Sequence, residues 1–388
     1  MPPMLTSPVI FFLGVAVFLI VAWDAFEAII LPRRVTRGFR LTRIFYKSTW
    51  VLWRGVVCLQ KNRRVKDTLL GFYGPISLLI LVAIWAAGLV FSFGMMQYGA
   101  GSALNAVIVD KHSSFWTDLY LSGTTFFTLG LGDVLPRSSV ARALVVIEAG
   151  FGFGFLAAVI GYLPFIYGSF SKREVNISLL DARAGTPPSA GELLRRHSDA
   201  HGLEYLRELL SDWEIWSAEL MESHLSYPVL AYFRSQHDNQ SWLASLTAIL
   251  DTCAFVLVGI DGVCERQAEL TFAIARHAIV DLSQVFKTPP RPLPFDRLPD
   301  KDLRCIRDTL AGHGVKLHDG EDADRRLREL RSMYEPYVYA MAEYLGHTLP
   351  PWIPRKQGRD NWQTTAWERR SGAGNSQEEH AAAVDDHF

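Results

Sequence analysis

Residues 115–133 read FWTDLYLSGTTFFTLGLGD. The first dozen are mostly apolar or hydroxyl-bearing and too few to cross a hydrocarbon core, which takes about 20 apolar residues. Longer apolar stretches flank them, Thr68 to Met96 before and Ser139 to Tyr167 after, and a third, Pro8 to Leu31, opens the chain. No charged residue occurs from Thr68 to Val109 or from Ala149 to Ser171. A short segment between two crossings reads as a half-helix that enters the membrane and turns back. Such a helix must be packed in protein, because lipid cannot satisfy its open backbone ends. The expected fold is therefore an all-α membrane protein: three transmembrane helices plus a re-entrant helix, followed by a helical domain outside the bilayer.

After the half-helix come Thr128, Leu129, Gly130, Leu131, Gly132 and Asp133. A cation stripped of its water needs a ring of oxygens at close, repeated spacing. Backbone carbonyls supply it when successive residues alternate between left- and right-handed conformations, and glycine takes the left-handed half without penalty. Gly130 and Gly132, two apart, suit such a ladder, with the Thr128 hydroxyl adding an oxygen at its inner end. The half-helix would direct the negative end of its dipole at the ion. A glycine-rich external turn is the plainer alternative. A dinucleotide-binding loop does not fit, since these glycines neither follow a strand nor open a soluble helix.

Thr128 to Asp133 resembles the potassium-channel filter signature, Thr-Val-Gly-Tyr/Phe-Gly-Asp. Thr128, Gly130, Gly132 and Asp133 match, and Leu129 is a conservative change. Leu131 departs from the usual aromatic, and Phe127 from the usual threonine. The segment from Thr68 to Tyr167 is similar to bacterial potassium channels of the two-transmembrane pore-domain (ion channel 2) superfamily, with an extra N-terminal transmembrane helix. The resemblance implies a homotetramer around one axis, with potassium held at Thr128, Leu129, Gly130 and Leu131. No organic cofactor is expected. The open points are a weakly selective cation channel, which Leu131 would allow, and a membrane sensor or scaffold with a vestigial pore.

The third crossing contains Gly150, Gly152 and Gly154, then Gly161 and Pro164. Glycine in a membrane helix allows either close packing or bending, and proline removes a backbone bond. Both readings stand for a hinge at Gly150–Gly154 and a bend at Gly161–Pro164. Glu148, a carboxylate at membrane depth, must face protein or a wet cavity. It would support the filter near Thr124 or Thr125, or pair with Arg142. Asp24 and Glu27 are expected to meet loop arginines. No crossing carries the spaced arginines of a voltage sensor.

Orientation follows from the short loops. From Pro32 to Asp67 there are eleven Lys or Arg and one acid, whereas from Met95 to Arg137 there are two bases and three acids. The first loop is expected in the cytoplasm and the second outside, in a cell (inner or plasma) membrane, with the N-terminus outside and the C-terminus inside. Pro8 to Leu31 lacks a preceding basic region and a cleavage site, so it reads as a retained anchor. In the basic 33–66 linker, Ile44, Trp50, Val51 and Trp53 interleave with Arg43, Lys47 and Arg54. This suits a helix contacting anionic membrane lipids, or a surface helix on the cytosolic domain.

The domains expected are 1–31, an N-terminal transmembrane helix; 32–67, a basic amphipathic linker; 68–171, the pore domain; 172–354, a cytosolic α-helical assembly or regulatory domain; and 355–388, a disordered tail. Helices are expected from about Asp238 to Phe286 and from Glu321 to Leu345. The apolar run Trp242–Ile260 contains only Asp251 as a charge, and reads as a buried bundle helix with a paired carboxylate, or as a fourth crossing. No βαβ pattern marks a nucleotide-binding domain, and a cytosolic ligand is not legible. Nucleic acid is not an expected partner, with a net charge of −1. His197 and His201 have metal-competent spacing but read more simply as solvated. The four cysteines are scattered and read as reduced thiols. No nucleophile–base arrangement points to an enzyme.

Overall fold

A computed structural model describes residues 6–31, 40–101, 104–106, 114–198, 202–235, 240–260 and 264–354. The 355–388 tail and His201 lie outside the described residues. The fold is all-α, with one two-stranded antiparallel pair among the described residues. It divides into two compact units, Met1–Tyr167 and Gly168–Phe388.

In the first unit, α1 (Thr6–Ile29) packs antiparallel against α3 (Arg63–Gly99). The pairing runs from Gly14 beside Ser92 and Met96, through Val21 beside Gly88, to Asp24 beside Trp85. Small residues let the backbones approach, since burying apolar groups from lipid gives little drive. Asp24 and Glu27 are buried toward the C-terminal end of α1. Glu27 meets Arg40 at 3.4 Å, as expected. Among the described residues Asp24 meets no arginine: it accepts hydrogen bonds from Trp85 Nε1 at 2.9 Å and from the Thr42 amide and hydroxyl. The Thr42 amide is one of the open donors at the start of α2 (Leu41–Cys58), so the aspartate caps that helix from a neighbouring one.

Helix α2 has two apolar faces. One rests on α3: Trp50 contacts the Tyr73 ring at 4.8 Å, and Trp53 Nε1 donates to Leu69 O at 3.0 Å. The other, with Ile44, Val51, Leu52, Val56 and Leu59, is exposed.

Helix α4 (Phe115–Phe126) is the expected half-helix, 12 residues long and N-capped by the Ser114 side chain. Strands β1 (Leu104–Ala106) and β2 (Val134–Pro136) pair around it, Asn105 opposite Leu135. Helix α5 (Ser139–Ala184) has 46 residues, which is about 69 Å of helix. It continues unbroken through Pro164 and across the division between the units. Within the first unit only one stripe of α5 is buried, through Ala141, Leu144, Glu148, Tyr162 and Ile166. Val146, Phe153, Leu156 and Ile160 stay exposed on its other sides.

The second unit is a helical bundle of α6 (Ala190–Arg196), α7 (Gly202–Ser226), a 3-10 turn (Pro228–Tyr232), α8 (Trp242–Gly259), α9 (Glu265–Phe286), α10 (Asp300–Gly312), α11 (Glu321–Ser332) and α12 (Glu335–Leu345). The two long helices expected are each split. Residues 261–263 lie outside the described residues between α8 and α9, and Pro336 at the start of α12 ends the helix before it.

Among the described residues four helices are long and apolar enough to cross a membrane: α1, α3, α5 and α8. In α8, 89% of the apolar window is buried inside the protein, against 44% or less in the other three. A helix covered by protein has no face left for lipid, so α8 is the core of the bundle. Its Asp251 is paired with Arg297 through bonds of 3.1 and 2.6 Å, and Tyr334 Oη donates to it at 2.5 Å.

Candidate functional site: the strip after the half-helix

Chain direction reverses at the end of α4. Thr125 O accepts from the Thr128 amide at 3.0 Å, and Thr124 O accepts from the amides of Leu129 at 2.8 Å and Gly130 at 3.4 Å. The strip is thus tied to the open carbonyls of the helix end. Thr124 and Thr125 do this through their main chains; the Thr124 hydroxyl turns away to Leu121 O.

Beyond that anchor the backbone alternates. Thr128, Gly130 and Gly132 have φ of +57°, +58° and +77°, while Leu129 and Leu131 are not left-handed. Glycine bears this at no cost, whereas at Thr128 a β-branched residue is held there against its preference. Phe127, Leu129 and Leu131 are 59%, 61% and 63% exposed, although the Phe127 ring meets Phe126 edge-on at 5.3 Å. At the far end of the strip Tyr120 Oη donates to Asp133 Oδ2 at 2.8 Å. The sequence reading did not single out Tyr120. It stands on α4, so the half-helix holds the strip at both ends.

Glu148 is fully buried on α5. Its Oε1 accepts from the Ser122 hydroxyl on α4, and Oε2 has no hydrogen-bond partner among the described residues. Neither expected contact forms: Thr124 and Thr125 lie past Ser122 toward the end of α4, and Arg142 Nε donates to Pro136 O at 3.2 Å. Ser122 also lies 2.7 Å from Val90 O, so one hydroxyl links α3, α4 and α5.

The α5 glycines separate by environment. A Cβ on Gly152 would lie 2.1 Å from Phe126 O, so this glycine is a packing residue. Gly150, Gly154 and Gly161 have nothing within 4 Å of a built Cβ. All these positions belong to one continuous segment, and residues 77–164 match the family model described as an ion channel. That stretch is similar to the ion-channel family.

The matched segment takes in most of α3, all of α4 and the strip, and α5 as far as Pro164. The chain is 27% identical over 211 residues to the uncharacterized membrane protein YdjJ of Bacillus subtilis (strain 168). That match covers 53% of this chain and 58% of the relative, so the chain spans little more than half the relative's length. No solved structure matches.

Proposed function

We propose that four copies of this chain form a potassium-selective channel whose filter is Thr128–Asp133, in a cell membrane. The observation that carries the reading is the alternation of left-handed residues at 128, 130 and 132 in an exposed strip. Carbonyls on such a backbone share one side, and four strips around an axis replace a hydration shell. Potassium would bind at Thr128, Leu129, Gly130 and Leu131. The uncovered sides of α5 and the exposed Leu129 and Leu131 are the surfaces a neighbouring copy would take. Gly150, Gly154 and Gly161 are the positions where α5 has room to bend, and Gly152 fixes α5 to the end of α4. The basic-residue bias supports an external N-terminus and a cytoplasmic C-terminus. The exposed stripe of α2, beside Arg43 and Lys47, supports contact with anionic lipids of the inner leaflet.

A less selective cation channel is a second reading, favoured by Leu131, whose side chain offers the strip no hydrogen bond. Both are tested with purified protein in liposomes. The channel reading expects a tetramer by native mass measurement and potassium flux that is lost in Gly130→Ala. A monomer without flux would end it.

A further inference from the structure

Past Tyr167, α5 carries Arg173, which is 4% exposed. Its guanidinium is held from several directions. Nη1 donates to Leu230 O at 2.9 Å and Nη2 to Phe233 O at 2.8 Å, both at the 3-10 turn. Nε donates to Glu174 Oε1 at 3.0 Å. The carbonyl of Arg173 accepts from Trp216 Nε1 on α7 at 3.2 Å. Phe170, one turn earlier, stacks on Phe233 at 5.6 Å and lies 5.2 Å from the guanidinium. Three hydrogen bonds at Arg173, two donated to Leu230 O and Phe233 O and one accepted from Trp216, make this a place where α5 is gripped by the bundle.

One partner can change its charge. Nη1 of Arg173 lies 3.2 Å from His224 Nε2. Arginine has donors only, so His224 Nε2 must be the acceptor and the imidazole must be neutral. Its proton then sits on Nδ1, 2.9 Å from Leu220 O. Protonation would remove the lone pair that faces Arg173 and set two cations side by side in a buried site. The groups around His224 are Arg173 from α5, which is paired with Glu174, Ser223 from its own helix and the Trp242 ring of α8 at 5.4 Å; the Arg173 charge also reaches the buried His347, as does that of Arg234. Among these described groups Glu174 is the acidic one, and it is already paired with Arg173.

We propose that Arg173 is the positioning residue through which the C-terminal bundle sets the conformation of α5, and that proton binding at His224 releases it. This rests on the reading of α5 as a pore-lining helix. Burial, and after it the Arg173 charge, hold the His224 pKa well below its ordinary value. The folded protein therefore binds fewer protons here than the unfolded chain, and stability falls as pH drops below about 6.5, the ordinary histidine value. His347 is likewise depressed, by burial and then by Arg234 and Arg173, and serves as the comparison.

The experiment uses the full chain in liposomes at equal pH on both sides. Potassium flux and thermal unfolding are followed from about pH 7.5 to about pH 5, across the histidine range. Wild-type flux is expected to change at least about fivefold, the lower end of ordinary coupling between sites. His224→Gln, whose amide can accept from Arg173 and donate to Leu220 O without titrating, should lose that step and keep the flux of neutral pH. His347→Gln should retain the step. Arg173→Lys should show at neutral pH the flux that acid produces in the wild type. Unfolding temperature should fall less with acid in His224→Gln than in the wild type. An undiminished flux step in His224→Gln overturns the proposal while leaving the channel reading intact. Absence of flux from every variant at every pH overturns both.

Discussion

Gly152 of α5 lies against the carbonyl of Phe126, the last residue of α4, so closely that a Cβ at position 152 would stand 2.1 Å from that oxygen. The two helices meet where the half-helix hands over to the strip. Gly152→Ala must push them apart, at a cost of about 1–3 kcal/mol for overpacking. Thermal unfolding in detergent should report this. Gly154→Ala, with open space at its Cβ, should fold as the wild type does but alter open probability in single-channel records.

The Ser122 hydroxyl ties Glu148 to the half-helix and also reaches Val90 O. Ser122→Ala leaves a buried carboxyl with no donor. That should cost about 1–3 kcal/mol, the price of a stranded polar group. Glu148→Gln should cost less, because its amide can donate to the Ser122 oxygen and free the serine proton for Val90 O. Paired melting curves of the two variants check this; equal losses would contradict it.

Tyr120 Oη holds Asp133 at the end of the strip farther from α4 in sequence. The contact is exposed, so Tyr120→Phe should leave the melting temperature nearly unchanged. Its effect should fall on the strip itself, as shorter open bursts in single-channel records.

In the second unit Asp251, Arg297, Tyr334 and Glu335 form one buried network. Burial opposes the charge on Arg297, yet the attraction of Asp251 and its hydrogen bonds raise the pKa above the ordinary value. Breaking one partner strands the other. Asp251→Ala should destabilise the bundle by about 3–5 kcal/mol. Replacing both, with Asp251→Leu and Arg297→Met, should cost clearly less than the sum of the single changes. Chemical denaturation of the four chains completes that cycle.

Local rules made much of this legible. The length of the half-helix, its flanking spans and the alternate glycines of the strip all follow from residue types within a few positions of each other. Asp251 was legible as a paired group because an apolar helix tolerates a carboxylate only with a partner. Its partner was not: Arg297 sits in the proline-rich segment 288–299, which no periodicity positions. Glu148 was legible as protein-facing, but its choice of Ser122 depends on how α4 turns against α5. Asp24 shows the same limit. Residue types alone point it to a loop arginine, whereas its role as a cap for α2 required the fold of three helices.

The central claim is that the strip from Thr128 to Asp133 passes potassium in preference to sodium. Purified protein in a planar bilayer, with potassium on one side and sodium on the other, tests it directly. The account predicts a current whose reversal potential approaches the potassium equilibrium value and which disappears in Gly130→Ala. A reversal potential near zero would contradict the selectivity, and an unchanged current in Gly130→Ala would contradict the placement of the pathway.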